Sequence, residues 1–167
     1  MPASRYTWLT YGTAGAERAS IAAGLKRLGV HPGERVGLYS VNCASWMLVE
    51  GAITRLACVS VPLYDTLGPK VVEYISNHAE LVAVACHPAV LSTLVDSLPA
   101  CPTVKLVVVF SPPDVPLPQL PGVKVRPRNV LPRSFLTLHI IRLCPSKPSV
   151  RLGAPRQSRR TFRRLRI

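Results

Sequence analysis

Two short runs of unbroken apolarity constrain this chain more than any other feature. Leu81-Val82-Ala83-Val84-Ala85 and Leu106-Val107-Val108-Val109-Phe110 are each of strand length, and neither alternates with polar residues. A strand with one face in water alternates, so a strand without a polar face has to be covered on both sides. Helices packed above and below a mostly parallel sheet provide such cover.

The rest of the chain supplies those helices in strict alternation. Residues 14–28 carry Ile21, Leu25 and Leu28 at helical spacing, and Gly29 stops the pattern before the turn Val30-His31-Pro32-Gly33. Arg35 to Val41 reads as a strand. Ser45 to Ala57 reads as a second helix, with Ser45 as N-cap and Trp46, Val49, Ile53 and Leu56 as its apolar stripe. Val59 to Leu63 is a short strand. A third helix is expected from Pro69, capped by Thr66 or Gly68, with Val71, Ile75 and His78 on one face. Pro88 to Leu98 is a fourth. The order predicts an α/β fold: a partial, mostly parallel sheet with helices on both faces.

Charge divides the chain. Residues 1–120 hold eight basic and eight acidic side chains, whereas residues 121–167 hold thirteen basic and no acidic ones, so the formal +13 belongs to the second part. Five prolines between Ser111 and Pro121 end the sheet pattern. The expected division is therefore a globular part over 1–120 and a basic, Pro/Arg-rich tail over 121–167, disordered for want of apolar residues to bury. Within that tail, Ser134 to Leu143 fits either a strand or a short helix. Thirteen cations predict non-specific polyanion binding, to nucleic acid or an anionic membrane surface. No RNP-type motif, zinc finger or recognition-helix pattern accompanies them, so no specific nucleic-acid partner is expected.

Cys43, Cys58, Cys86, Cys101 and Cys144 contain no Cys-x-x-Cys pair, and their odd number argues against a closed disulfide framework. His31, His78, His87 and His139 lack metal-ligand spacing. The chain shows no secretory h-region at its start and no apolar run of the ~18–20 residues that cross a bilayer. An intracellular protein in a reducing compartment, soluble or peripheral to a membrane, is expected.

Candidate chemistry is sparse. Gly12-Thr13-Ala14-Gly15 lacks the Gly-Lys-Ser/Thr ending of a phosphate loop and reads as a flexible entry to the first helix. Tyr39, His78, Glu80 and His87 do not combine into a nucleophile–base–orienter set. Cys58 and Cys86 stand at strand edges and read as core thiols. No catalytic, cofactor-binding or metal-ligating residue is assigned.

The most specific segment is Val59-Ser60-Val61-Pro62-Leu63-Tyr64-Asp65-Thr66-Leu67-Gly68-Pro69. It is built as a strand exit leading to a helix start. Pro62 cannot donate to a ladder, Asp65 and Thr66 can bond free helix N–H groups, Gly68 permits an unusual φ, and Pro69 presets a first turn. The stretch Val61-Pro62-Leu63-Tyr64-Asp65-Thr66-Leu67-Gly68 closely resembles a signature of eukaryotic long-chain acyl-CoA synthetases, members of the AMP-binding, adenylate-forming ligase family. Other segments agree in order. Tyr6-Thr7-Trp8-Leu9-Thr10-Tyr11 is similar to the family's entry segment. Gly33-Glu34-Arg35-Val36-Gly37-Leu38-Tyr39 is similar to its first strand. Asn42 with Trp46 resembles its Asn-x-x-x-Trp turn, with Ser45 where an acidic residue is common. Asn77-His78-Ala79-Glu80 resembles the end of its next helix. The resemblance covers about Tyr6 to Phe110.

The resemblance implies the first sub-sheet of the family's large N-terminal domain. For the full-length family member it implies ATP, Mg²⁺ and CoA as cofactors and co-substrates, and a long-chain fatty acid activated through an acyl-adenylate. It also implies a peroxisome, endoplasmic reticulum or plastid envelope as location. The family's Tyr-Thr-Ser-Gly-Thr-Thr-Gly-type phosphate loop does not occur in this chain. The chain is therefore expected to be an inactive fragment that binds none of the cofactors. Past about Gly122 the expected pattern is lost, and the Arg/Pro/Ser/Leu bias is the one expected of a GC-rich message read out of frame or through an intron.

Overall fold

The computed structural model describes residues 8–64, 66, 68–111, 126–127 and 137–142. Four helices and six strands follow in order: α1 (Tyr11–Arg27), β1 (Arg35–Tyr39), α2 (Ala44–Arg55), β2 (Val59–Leu63), α3 (Pro69–His78), β3 (Ala83–Cys86), α4 (Leu91–Ser97), β4 (Leu106–Ser111), β5 (Arg126–Pro127) and β6 (Thr137–Arg142). They build one sheet in the order β2-β1-β3-β4-β6-β5. The first four strands are parallel, and β6 runs antiparallel to β4 and β5.

The two apolar runs become the inner strands β3 and β4, shifted by a residue or two from their expected ends. Their alternate residues enter two separate cores. Ala83, Ala85, Leu106, Val108 and Phe110 pack with α1 and α2 residues such as Ile21, Leu25, Val49 and Ile53. Val84, Cys86, Val107 and Val109 pack with α3 and α4 residues such as Val72, Leu91 and Leu94. Helices on both faces of a mostly parallel sheet are thus observed, as the unbroken apolarity requires.

Several local expectations change. Gly12 to Gly15 is not a loop: Thr10 caps α1 by accepting the Thr13 N–H at 3.1 Å, and the helix includes both glycines. The N-cap of α2 is Cys43, without a side-chain bond, and Ser45 is buried inside the helix. Trp46 and Leu56 only border the core, while Leu48 and Ala52 take the central places. On α3 the innermost residues are Val72 and Ser76, one position later than the expected stripe, because Ser76 is polar yet buried. The fourth helix opens as a 3₁₀ turn over Pro88–Val90.

The sheet does not stop at residue 120. β6 pairs with the whole of β4, Leu106 opposite Arg142 through Ser111 opposite Thr137. Leu138, Ile140 and Ile141 are buried, the first two in one core and the third in the other. The strand alternative for 134–143 therefore holds. A boundary drawn from charge misses β6 because its apolar residues sit among basic ones. Residues 143–167 lie outside the described residues, as do Asp65 and Leu67 of the signature.

Candidate functional site

In an open parallel sheet, ligands bind outside the carboxyl ends of the strands, where successive connections leave in opposite directions. Here that point lies between β1 and β3. The chain leaves β1 through Ser40–Cys43 into α2 on one face. It leaves β3 through His87 into α4 on the other. The two exits are tied together: the His87 N–H donates to the Tyr39 carbonyl at 2.9 Å.

His87 has a structural task at this point. Its Nδ1 accepts the Ala89 N–H at 3.2 Å and caps the 3₁₀ turn. Its ring meets Phe110 of β4 edge-on at 6.2 Å. Partial burial holds its pKa below the ordinary imidazole value. Ser40 is buried, with Oγ 2.7 Å from the Val41 carbonyl and 3.7 Å from Cys43 Sγ. Tyr39 is buried in the sheet. His87 thus acts as a cap, which sequence reasoning missed.

The signature segment lies beside this point, at the end of edge strand β2. Val61 and Pro62 continue the ladder opposite Gly37 and Leu38. Leu63 is buried, Tyr64 is 62% exposed and Thr66 is exposed. Gly68 is the N-cap of α3 with φ +74°, a conformation that suits glycine, and Pro69 occupies the first turn. Of the two expected caps, Thr66 or Gly68, the structure has Gly68, and among the described residues no side-chain bond caps α3.

The other candidates are dispersed. His78 ends α3 and stacks on Tyr74 at 5.5 Å. Glu80 pairs with Arg35 at the opposite end of the sheet. Cys58 Sγ donates to the His31 carbonyl at 3.1 Å, and desolvation raises its pKa. Cys86 and Cys101 are buried, and burial pushes both thiols up. These are core thiols rather than nucleophiles.

Among the described residues, the exits of β1 and β3 offer no set of groups that fits the metal or the polyphosphate that the resemblance implies. Among the described residues no group of three acidic, His or Cys side chains could hold a metal. No lysine or arginine stands at the exits of β1 and β3 to neutralise a polyphosphate, and the chain contains no phosphate loop.

The model of the family described as AMP-binding enzyme matches residues 2–146. That match continues past Gly122 and takes in β5 and β6, so the change of composition there does not end the family sequence. "Long chain acyl-CoA synthetase 7, peroxisomal" of Arabidopsis thaliana is 46% identical over 116 residues, covering 70% of this chain and 17% of that protein. "Long chain acyl-CoA synthetase 6, peroxisomal" of the same plant is 43% identical over 129 residues, covering 75% and 18%. The chain therefore spans less than a fifth of these relatives. Among solved structures, a long-chain-fatty-acid-CoA ligase from Archaeoglobus fulgidus shares the fold with TM-score 0.60 at 23% identity, covering 65% of this chain and 22% of that one. An anthranilate CoA ligase in complex with anthranoyl-AMP gives TM-score 0.56 at 27% identity, covering 57% and 19%. The strand–turn–helix signature, the sheet and the match over residues 2–146 agree, and the chain belongs to the AMP-binding enzyme family, with long-chain acyl-CoA synthetases among its relatives.

Proposed function

We propose that this chain forms the first sub-sheet of the AMP-binding domain of a long-chain fatty acid–CoA ligase. The observation that carries the reading is the signature Val61–Gly68 standing as a strand-to-helix connection in a chain 46% identical to a long-chain acyl-CoA synthetase. The full-length enzyme would couple a long-chain fatty acid to CoA through an acyl-adenylate, with ATP and Mg²⁺. A carboxylate is a poor electrophile until adenylation supplies a leaving group, and the polyphosphate requires cations and backbone N–H donors.

The family's phosphate loop does not occur in the sequence, which supports the reading that the chain by itself is inactive and binds none of these cofactors. Its role within the longer enzyme is structural, a sheet layer with helices on both faces. The domain part reaches at least Arg142, and the out-of-frame reading is left only to residues beyond 146. Two relatives named as peroxisomal make the peroxisome the first compartment to examine.

Sequencing the transcript across the codons for Lys105 to Ile167 tests the reading. A spliced frame that runs on into a Thr/Ser/Gly-rich phosphate loop is the expected result. A message that ends with Ile167 assigns the chain a role outside ligation. Pyrophosphate release from ATP, Mg²⁺, CoA and a long-chain fatty acid is expected to stay at the blank for this chain alone, and turnover above it overturns the inactivity.

A further inference from the structure

β2 lies at the edge of the sheet, and its bonding directions follow residue by residue. The Val59 N–H donates to the Glu34 carbonyl at 2.9 Å, so Val59 turns its backbone groups toward β1. These directions alternate along a strand. Val61 and Leu63 therefore also bond to β1, and Ser60 and Pro62 turn away from it. β1 shows the same alternation on its far side, where the Arg35 carbonyl accepts the Val82 N–H at 3.1 Å and the Tyr39 carbonyl accepts the His87 N–H at 2.9 Å. The outer side of β2 thus presents the Ser60 N–H and the carbonyls of Ser60 and Pro62. Proline has no N–H to present. Among the described residues no strand pairs with this side.

Without the proline the edge would be a template for another chain. Cys58-Val59-Ser60-Val61-Pro62-Leu63-Tyr64 contains no charged residue, and Val59 is 51% exposed. Uncharged segments of high β-propensity on a sheet edge pair readily with a further strand. Proline is placed selectively in this sheet. β1, β3, β4 and β6 contain none. The outermost strands β2 and β5 each contain one, Pro62 and Pro127. Proline is tolerated on an edge because its missing donor can face outward, as it does at Pro62.

We propose that Pro62 guards this edge against a second copy of the chain. A second copy is the fitting partner because the edge is self-complementary. Two copies meeting about a two-fold axis run antiparallel. Centred on Val61, the pair sets Ser60 of one copy opposite Pro62 of the other and Val59 opposite Leu63. Residues directly opposite share a face, so Val59, Val61 and Leu63 of both copies would form one apolar row, with no like charges opposed. The Ser60 N–H could donate to the facing Pro62 carbonyl. The return bond to the Ser60 carbonyl has no donor, and the proline ring stands where that carbonyl would approach. The guard operates whatever chemistry the longer protein performs.

The test is analytical ultracentrifugation of the full chain and its Pro62→Val variant over a range of concentrations. Position 62 faces away from β1, so the substitution keeps the existing ladder and supplies the missing donor in each copy. The regained bonds should lower the concentration at which dimers form by roughly tenfold or more. Val59→Lys in the Pro62→Val background sets a charge on the exposed edge and should return association to the wild-type level. Amide hydrogen exchange of the wild type reads the edge even if Pro62→Val fails to fold. The Ser60 amide should exchange roughly tenfold or more faster than those of Val59 and Val61, which bond to β1. A folded Pro62→Val chain that associates no more than wild type, a dimer that persists in Val59→Lys/Pro62→Val, or a wild-type Ser60 amide as protected as that of Val61 would overturn the proposal.

Discussion

Arg18 of α1 lies across Gly51 of α2, so close that a Cβ at position 51 would stand 2.6 Å from Arg18 Nε and 2.7 Å from its Cδ. The two helices approach at this point because one of them has no side chain there. Gly51 is in the interior of α2, where glycine costs about 1 kcal/mol of helix propensity relative to alanine. The close approach offsets that cost. In Gly51→Ala the flexible Arg18 has to move, and the propensity gain is spent on moving it. We expect a change within about 0.5 kcal/mol for Gly51→Ala alone, and a gain of about 0.5–1 kcal/mol when the same change is made in an Arg18→Ala background. Urea unfolding of the four proteins of this cycle measures the difference. Equal effects in both backgrounds would show that the two residues do not compete.

Gly37 presents a different case. It lies in β1, and a Cβ there would meet Leu81 Cδ1 at 2.7 Å, Leu63 Cδ1 at 3.2 Å and Val84 Cγ2 at 3.2 Å. All three neighbours are buried, so none can swing into solvent. Overpacking a close-packed core costs about 1–3 kcal/mol. Gly37→Ala should lose that much in the same urea experiment, and Gly37→Val more. A neutral Gly37→Ala would mean that Leu63, Leu81 and Val84 are packed around β1 more loosely than the structure has them.

Ala57, between α2 and β2, adopts φ +57°, which a Cβ disfavours. Its N–H donates to the Thr54 carbonyl at 2.9 Å, and its carbonyl accepts the Gly33 N–H at 2.8 Å. Both bonds are backbone bonds that glycine retains. Ala57→Gly should therefore stabilise by about 0.5–1 kcal/mol, against the usual direction for that substitution. Thermal unfolding at fixed pH reads the sign, and a fall in Tm would remove the left-handed conformation from the account.

How far the sequence discloses this molecule differs from element to element. β3 and β4 were readable because their residues are apolar without interruption, and only burial on both faces explains that. Gly68-Pro69 was readable because a left-handed residue followed by a preset first turn has few other uses. The order of the strands was not, since nothing local tells β3 to cross β1 rather than extend beyond β2. The buried face of α3 was displaced by one position because Ser76, a polar residue, lies inside. His87 yielded no reading as a cap, because its partner is the backbone N–H of Ala89 and not another side chain. β6 was only half visible, because proline and arginine around it outweighed its three apolar residues.

His87 makes stability depend on pH in a defined direction. Its ordinary value is 6.5, and burial lowers it in the folded protein. Between the folded value and 6.5 the unfolded chain binds more protons than the native one, so stability is full above 6.5 and falls as the pH drops through 6.5. Protonation of Nδ1 also removes the acceptor of the Ala89 N–H. His139 on β6 shifts in the same direction for the same cause and adds to the effect. His87→Asn keeps a side-chain acceptor and removes the titration. Its stability should fall less than that of the wild type between pH 7.5 and 5.5, with His139→Gln as the parallel measurement. Identical pH slopes in wild type and His87→Asn would remove His87 from the acid response.

β6 provides the sharpest test of where the folded part ends. Leu138 is 1% exposed and packs in the same core as Phe110, whose strand position it faces. If the sheet ended at β4, Leu138 would be a solvated residue in a basic tail, and Leu138→Ala would change nothing. In the observed pairing it fills a core site, and truncation leaves a cavity as well as losing apolar burial. The expected cost of Leu138→Ala is about 2–5 kcal/mol. Lys105, exposed just before β4, offers the contrast. Lys105→Gln removes a surface charge and should leave stability within about 0.5 kcal/mol. Denaturant unfolding of the two variants separates a packed sixth strand from a charged tail, because only the first makes the leucine expensive to lose.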